Sequence, residues 1–358
     1  MPNTAATRAQ PSKVCDLCRI TLCSVVLTAL STGCVIHLAG HCHTDQNALA
    51  EKLALLPRNP TDTSRPFIQE EIRGIHENFT VFIPSDCYLH GARQRMLRID
   101  PTRAPVVICE ELFTLSPGIL KLAQRLAKNG FAVYVPILFG NAREDPNNPW
   151  LASRALTFAF SKPDWKANDA AADDRPVIRE TAGLCTAIAA RHPKKKLGVI
   201  GLCITGSFPL ELLAEGSLIA APVISQPAIP LVASNFERRA SFGMSPRKML
   251  VLQQEVNEHH LQVLGFRFEL DPISPPERFA NIKQCLKSAF IDATLPAADY
   301  IYRDGCPSNA HAVLTDGYSD LVAGKRETRG HFAYRQLVWF LKTHLDREQI
   351  PSPVYSGS

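Results

Sequence analysis

Residues 197–206 constrain the fold of this chain most strongly, because they read as a buried strand that breaks into a tight turn. Their sequence, LGVIGLCITG, is an apolar run with β-branched residues that ends in a G-x-C-x-x-G pattern. A turn between a strand and a helix holds its central side chain, here Cys203, in front of the free N–H groups of that helix. This placement favours the thiolate, the reactive form of cysteine. A small core residue is the alternative for a cysteine in an apolar turn.

The composition predicts a globular domain. Of the 358 residues, 46% are hydrophobic and 20% are charged, which allows a full core and excludes a disordered or fibrous chain. The formal net charge of +5 is spread along the sequence, and its densest run, the three lysines at 194–196, is read as a solvated helix end. The charge pattern therefore predicts no nucleic-acid partner.

The N-terminus is predicted to be a lipoprotein-like signal peptide over residues 1–33. Basic residues precede an apolar run at 20–30 that is too short to span a bilayer comfortably. The run ends in LSTGC, which resembles a bacterial lipoprotein box and predicts lipidation of Cys34. Residues 34–66 read as a polar tether, so the expected location is the bacterial cell envelope, anchored to the membrane on the periplasmic side. An uncleaved signal anchor and a merely apolar leader are the alternatives.

Cysteine usage leaves a cytoplasmic location open as well. The chain has eleven cysteines, and seven of them lie beyond the lipidation position. Cys109, Cys185 and Cys285 lie in apolar segments that are typical of a core rather than of a disulfide framework. A cytoplasmic thiol enzyme is therefore the alternative to an exported one. The C-x-x-C pair of Cys15 and Cys18 has no second pair beside it, so no zinc site is predicted.

From residue 79 onward, short apolar runs alternate with helical patterns, which is typical of a mostly parallel sheet with helices on both faces. Strands are predicted at 79–83, 96–99, 105–109, 131–136, 197–201, 219–223, 262–268 and 289–291. Helices are predicted at 119–127, 177–191, 248–259, 276–287 and 334–345, with one more from the turn to 215. A polar, proline-containing segment at 141–174 is expected to form a lid-like excursion. The domain is predicted at 67–350, followed by a flexible tail at 351–358.

A cysteine nucleophile needs a base, and the base needs an acidic partner that fixes its tautomer. In α/β-hydrolases these two follow the nucleophile in the order acid, then histidine. Asp271 stands where a predicted strand ends before a proline, and His311 follows in a later loop. A turn-forming aspartate and a solvated histidine are the structural alternatives. His331 ranks second as the base, because its position at the start of the last helix favours a capping or core role.

Two carboxylates follow the buried strand at 105–109. Glu110 and Glu111 are costly at such a strand end unless they are used or solvated, so at least one is a site candidate. Attack on a carbonyl also requires donors for the oxyanion. The residue after the nucleophile, Ile204, supplies one backbone N–H, and the loop near Leu112 is expected to supply the second.

Five segments together resemble the dienelactone hydrolase family, which has the α/β-hydrolase fold. They are CEELF at 109–113, PILFG at 136–140, GLCITG at 201–206, Asp271 and HAVLT at 311–315, and the resemblance extends from about residue 80 to 346. It implies no metal and no organic cofactor.

The resemblance also implies roles for these residues. Cys203 would attack an ester or lactone carbonyl, His311 would serve as base and then acid, and Asp271 would orient the ring. Glu111 would hold the thiol and deprotonate it when substrate arrives. The amides of Leu112 and Ile204 would bind the oxyanion.

Two positions depart from that family. Characterised members grip the carboxylate of the lactone with arginines, one of them four residues after the catalytic histidine, where this chain has Thr315. Arg154 and Arg303 are candidate substitutes, with surface solvation as the favoured alternative for both. Thr205 stands where the simplest form of the motif has glycine.

The sequence therefore predicts a hydrolase of small carboxylic esters, lactones or thioesters that works through an acyl-cysteine. The second hypothesis is a membrane-tethered α/β-hydrolase homologue that binds a ligand or partner without catalysis. The presence of Cys203, Asp271, His311 and Glu111 together favours the hydrolase, since a binding protein has no physical need to keep all four.

Overall fold

The structure of the chain is a computed structural model. It describes residues 48–60, 62, 64–89, 98–112, 115–143, 163–216, 218–296, 311–315, 328–346 and 351–354. The predicted signal peptide, the lipidation position Cys34, and both Arg154 and Arg303 lie outside the described residues. Among the helices in the described ranges, none has the length and apolar character needed to cross a membrane.

A large sheet forms the centre of the described part of the chain. Its strands, together with two short ones, are β1 (Phe67–Arg73), β2 (Asn78–Pro84), β3 (Tyr88–Leu89), β4 (Arg98–Ile99), β5 (Pro105–Cys109), β6 (Ala132–Pro136), β7 (Leu197–Leu202), β8 (Ile219–Ser225), β9 (Val263–Phe268) and β10 (Phe290–Leu295). The eight-stranded sheet has the order β1-β2-β6-β5-β7-β8-β9-β10. β1 and β2 join antiparallel, and the strands from β6 to β10 in that order are parallel. The prediction of a mostly parallel sheet is confirmed.

The helices of the described residues follow the strands along the chain. They are α1 (Ala48–Leu55), α2 (Pro117–Lys128), α3 (Pro176–Ala190), α4 (Phe208–Ala214), α5 (Phe236–Ala240), α6 (Pro246–Glu258), α7 (Pro276–Leu286) and α8 (Arg329–Leu341), with a π-helical turn at Lys342–Asp346. Several begin with a capping serine, threonine or asparagine whose side chain accepts a backbone N–H of the first turn. α1 and α5 were not predicted; the bounds of the other helices agree with the helical patterns of the sequence to within a few residues, except at the start of α8.

Helices cover both faces of the sheet, as predicted. Gly198 and Gly201 lie three residues apart on β7, so they face opposite sides. A Cβ atom on Gly198 would meet Leu341 at 3.2 Å, in the C-terminal helix. One on Gly201 would meet Pro209 of α4 at 2.7 Å. The absence of a side chain at each position lets a helix lie close against β7.

The leading strands differ from the prediction. The run at 79–83 is part of β2, but its partner is β1, which the sequence analysis did not identify as a strand. β4 instead pairs with β3 in a separate two-stranded sheet. The reason is that β1, FIQEEIR, carries three polar residues at its centre and does not show a clean apolar alternation. Two of these polar residues lie partly buried, and Glu70 accepts a hydrogen bond from the hydroxyl of Tyr88.

The segment predicted as a polar tether is folded in its second half. α1 packs against α2, with Glu51 of α1 2.7 Å from the ammonium group of Lys121. Lys52 and Leu56 are fully buried. The helix ALAEKLAL consists of good helix formers, and its burial on the domain stabilises a segment that is too short to be stable alone. The tether therefore does not extend to residue 66 as we predicted.

The second part of the segment at 141–174 packs on the domain; residues 144–162 lie outside the described ranges. Trp165 is 3% exposed and contacts the rings of two phenylalanines. Just after this segment, Arg175 forms an ion pair with Glu211 of α4 in which neither side chain is exposed. Residues 163–174 are thus anchored next to the turn that follows β7.

Candidate active site

The carboxyl ends of β5 and β7 lie side by side, because Cys109 pairs with Gly201. The chain leaves β5 for β6 on one side and later returns to β7 on the other side, so the strand order reverses between them. In open α/β sheets, ligands bind outside the strand ends at such a reversal. The turn after β7 and the loop after β5 are therefore the two elements expected to form the site.

Cys203 occupies a strained turn directly after β7. Its φ of +53° lies in the left-handed region, which is rare for a residue with a side chain, and its side chain is 5% exposed. A Cβ atom on Gly201 would lie 2.1 Å from the carbonyl oxygen of Thr205, and one on Gly206 would lie 2.5 Å from the Cα atom of Pro227. Close backbone contacts therefore require both glycines of the motif. This is the geometry of a nucleophile elbow.

Thr205 connects the turn to the neighbouring strand. Its hydroxyl accepts a hydrogen bond from the Leu202 N–H, at 3.0 Å. It also lies 3.0 Å from the carbonyl oxygens of Cys109 and Glu110, so its single proton can be donated across to the end of β5. A glycine at this position would lack that link. The departure at Thr205 thus fixes the nucleophile turn relative to the loop that carries the two glutamates.

The structure brings Asp271 and His311 together. Asp271 follows β9 and is 2% exposed, and its Oδ2 lies 2.7 Å from Nδ1 of His311. Its other oxygen accepts hydrogen bonds from the N–H groups of Ile273 and Ser274, at 2.9 and 3.1 Å. With Nδ1 oriented by the aspartate, Nε2 is the nitrogen available to serve Cys203 as base.

The electrostatic environment of His311 favours the charged ring. Burial opposes the charge, but the Asp271 carboxylate and the sulfur of Cys203 outweigh it and raise the pKa of His311 well above its ordinary value. A hydrogen bond with the Cys203 side chain contributes in the same direction. These contacts favour the protonated form of His311 and place its ring next to the sulfur of Cys203.

Two arginines that the sequence analysis missed hold the turn that carries Asp271. Arg267 on β9 donates to the carbonyl oxygens of Ser274, at 2.9 Å, and Glu269, at 3.1 Å. Arg278 on α7 is fully buried and donates to backbone carbonyls of the loops around the site, one of which is that of Ile273. Burial lowers the pKa of Arg278 to about 10. A basic residue inside an apolar strand, as in FRF, was the available signal.

The loop that carries His311 is anchored by its own apolar residues. Val313 and Leu314 are fully buried, and the carbonyl of Leu314 accepts a hydrogen bond from Arg125 of α2 at 3.2 Å. The competing His331 lies in the first turn of α8, where its N–H donates to the hydroxyl of the capping Thr328 at 3.2 Å. The structure therefore places His311, and not His331, against Asp271.

Glu111 is buried and bound from two sides. It is 5% exposed and follows β5. The hydroxyl of Thr315 donates to its Oε1 at 2.7 Å, and the side-chain amide of Gln226 approaches its Oε2 at 3.4 Å. Gln226 directly follows β8, and the sequence analysis missed it, although a polar residue at the carboxyl end of a central strand was a usable signal.

Glu110 is fully buried and has a different environment. Its Oε1 accepts hydrogen bonds from the N–H groups of Leu138 and Phe139, at 2.7 and 2.9 Å, which ties the loop after β5 to the loop after β6. Burial raises the pKa of Glu110 to about 8. Of the two neighbouring carboxylates, Glu110 therefore joins two loops, while Glu111 contacts groups from the His311 loop and the end of β8.

The two residues expected to bind an oxyanion follow the two neighbouring strands. Leu112 is partly buried after β5, and Ile204 is fully buried in the turn after β7. Together with Cys203 and His311, this arrangement offers a candidate nucleophile, a candidate proton carrier and two backbone amides at one sheet edge. Within the described ranges, no group of three or more His, Cys, Asp or Glu side chains could hold a metal ion.

Comparisons with known proteins give the family of this chain. The model of the dienelactone hydrolase family matches residues 96–300, more than half of the chain. The carboxymethylenebutenolidase of a Pseudomonas species is 28% identical over 182 residues, which are 48% of this chain and 69% of that protein. A candidate dienelactone hydrolase from Klebsiella pneumoniae has 17% identity and a TM-score of 0.45, covering 77% of this chain and 99% of its own. A dienelactone hydrolase-like promiscuous phosphotriesterase from metagenomic libraries has 16% identity and a TM-score of 0.42, covering 64% and 82%.

Proposed function

Because this chain belongs to the dienelactone hydrolase family, we propose that it hydrolyses small carboxylic esters, lactones or thioesters through an acyl-cysteine intermediate. One observation carries the proposal: the buried pair of Asp271 and His311, in which the aspartate lies 2.7 Å from Nδ1 and the ring lies beside the sulfur of Cys203. A thiol nucleophile requires such an oriented base, and a strained turn presents the sulfur to a substrate.

In the first half-reaction, the sulfur of Cys203 bonds to the carbonyl carbon, and the carbonyl electron pair moves onto oxygen. The backbone amides of Leu112 and Ile204 are the proposed donors to this oxyanion, and a donor of this kind is worth about 3 kcal/mol. The bond to the leaving alcohol or thiol then breaks, and His311 gives the leaving group its proton. Asp271 stabilises the ring while it is charged.

In the second half-reaction, a water molecule attacks the acyl carbon. Neutral His311 takes one proton of that water, and the hydroxyl adds to the carbon. The bond to the sulfur of Cys203 breaks and the carboxylic acid leaves, so one water is consumed and the sulfur and the charged ring are restored. Glu111 is proposed to take the proton of the resting Cys203 thiol when substrate arrives, before the sulfur attacks, and to return that proton to the sulfur after the acid has left.

The test is hydrolysis of short-chain p-nitrophenyl esters and small lactones by the full chain under reducing conditions. We expect Cys203→Ala and His311→Ala each to lower kcat/KM by a factor of about 10³ or more, because each removes a member of one catalytic unit. The matched controls are Cys285→Ala, which removes another buried thiol, and His259→Ala, which removes an exposed ring. A short incubation with ester should leave the acyl group on Cys203, detectable by mass spectrometry.

Two results would contradict the proposal. Turnover that persists without Cys203 would refute the acyl-cysteine mechanism. A folded wild-type protein that turns over no ester, lactone or thioester would favour the second hypothesis, a ligand-binding homologue.

We also propose that Cys34 carries a lipid that anchors the protein to the membrane. The support is the sequence LSTGC after an apolar run. Replacement of Cys34 by alanine should move the protein from the membrane fraction to the supernatant after cell lysis. Unchanged partitioning would contradict the anchor.

A further inference from the structure

Glu111 is held by two side chains that carry no charge, and we propose that Thr315 and Gln226 are the positioning residues that orient its carboxylate toward the thiol. This inference rests on the proposed function, in which Glu111 takes the proton of Cys203. It assigns a role to Thr315, at a position where the sequence analysis found only a departure from the family, and to Gln226, which it did not consider.

Thr315 is fixed by the loop that also carries the base. It lies four residues after His311, beyond the fully buried Val313 and Leu314, and is itself 4% exposed. Its hydroxyl donates to Oε1 of Glu111 at 2.7 Å. Since His311 and Thr315 lie in one anchored stretch, the base and the orientation of Glu111 are set by the same loop.

Gln226 approaches the other oxygen of Glu111 from the end of β8. Its backbone is constrained, with a φ of +35° and an N–H that donates to the carbonyl of Phe266 at 2.7 Å. The hydroxyl of Ser225 donates to Oε1 of the Gln226 side chain, which directs the NH₂ group of that amide toward Glu111. The amide is therefore oriented by a partner of its own.

The two bonds from Thr315 and Gln226 to Glu111 differ in length. Oε1 of Glu111 is held at 2.7 Å by Thr315, whereas Oε2 is 3.4 Å from Gln226. In the proposed transfer the S–H bond of Cys203 breaks, its electron pair stays on sulfur, and an O–H bond forms on the carboxylate of Glu111. Both donors are neutral, so neither neutralises the carboxylate that must attract the proton.

The test is a double-mutant cycle with the full chain. Thr315→Val keeps the shape of the side chain and removes the hydroxyl, and we expect kcat to fall about tenfold, the lower end for loss of a hydrogen bond to a charged group. Thr315→Ser should restore kcat to within about threefold of wild type. If Thr315 acts through Glu111, the valine substitution should change kcat by less than about twofold when Glu111→Gln is already present. Gln226→Met should show the same pattern with a smaller loss, because its bond is longer.

A second readout does not depend on ester turnover. The rate at which iodoacetamide alkylates Cys203, followed by mass spectrometry of its peptide at pH 7, should fall about threefold or more in Thr315→Val and recover in Thr315→Ser. Thermal unfolding of each variant controls for a loss of structure. If the protein hydrolyses no ester but the alkylation rate falls in Thr315→Val and recovers in Thr315→Ser, the proposed function fails and the positioning role stands. Thr315→Val with wild-type kcat and alkylation, or an undiminished effect in the Glu111→Gln background, would overturn the inference.

Discussion

The buried carboxyl of Glu110 should make the stability of this protein depend on pH. Its pKa lies at about 8, against an ordinary value of 4.5, because the side chain is fully buried. A group with a raised pKa in the folded state stabilises the fold below its unfolded pKa, and that contribution is lost as the pH rises through the folded pKa. One pKa unit corresponds to about 1.4 kcal/mol, so Glu110 alone should lower the free energy of unfolding by up to about 5 kcal/mol between pH 4.5 and pH 8.

Glu110→Gln isolates this effect. The amide oxygen of glutamine can still accept the N–H groups of Leu138 and Phe139, and the side chain stays neutral at every pH. We therefore expect the stability of the variant relative to wild type to rise with pH. The two should be similar near pH 5, and the variant should be more stable by about 2 to 5 kcal/mol at pH 8 to 9.

The assay is urea unfolding of both proteins at closely spaced pH values from 5 to 9, with the free energy taken from each transition. Glu237→Gln, which removes an exposed carboxyl, serves as the control and should leave the pH dependence of stability unchanged. A stability difference between wild type and Glu110→Gln that stays constant over this range would show that Glu110 is ionised throughout and would refute the reasoning.

Three further predictions concern the turn, the ion pair and the triad. Gly201→Ala places a Cβ atom 2.1 Å from a backbone oxygen, so we expect urea unfolding to show a free energy of unfolding lower by at least about 2 kcal/mol, with no ester turnover. A variant as stable as wild type would contradict the close contact. Arg175→Met leaves Glu211 buried without its partner, so we expect the free energy of unfolding to fall by about 3 to 5 kcal/mol. Adding Glu211→Gln should recover much of this loss. Equal stability of the single and double variants would contradict the prediction. Asp271→Asn removes a charge that raises the pKa of His311, so the alkaline limb of the rate–pH profile should move to lower pH. We also expect kcat/KM to fall about a hundredfold or more. An alkaline limb that does not move would show that Asp271 does not set the pKa of His311.

The fold could be predicted from the sequence where apolar runs are continuous. The parallel strands from β5 to β9 are fully or almost fully buried, and each was visible as a short apolar run between helical patterns. β1 was missed because three polar residues interrupt it. α1 was missed because it is short, and its burial against α2 became visible only in the folded chain.

The sequence could predict which residues form the candidate site, but not the contacts between them. Spacing and chain order pointed to Cys203, Asp271 and His311, and the structure joins the last two by a hydrogen bond. The roles of Thr315 and Gln226 depend on a contact between residues far apart in sequence, which no local pattern encodes. The resemblance pointed to Glu111, but the bonds of Glu110 to the loop after β6 could not be predicted for the same reason.

If Cys34 carries the proposed lipid, the folding of α1 onto the domain shortens the tether between the domain and a bilayer. An extended chain spans at most about 3.5 Å per residue, so a tether from Cys34 to residue 66 would span up to roughly 110 Å. Because α1 begins at Ala48, the tether that starts at Cys34 can span at most about 50 Å. A lipidated form would then stay close to the membrane surface, where esters that partition into lipid are most concentrated.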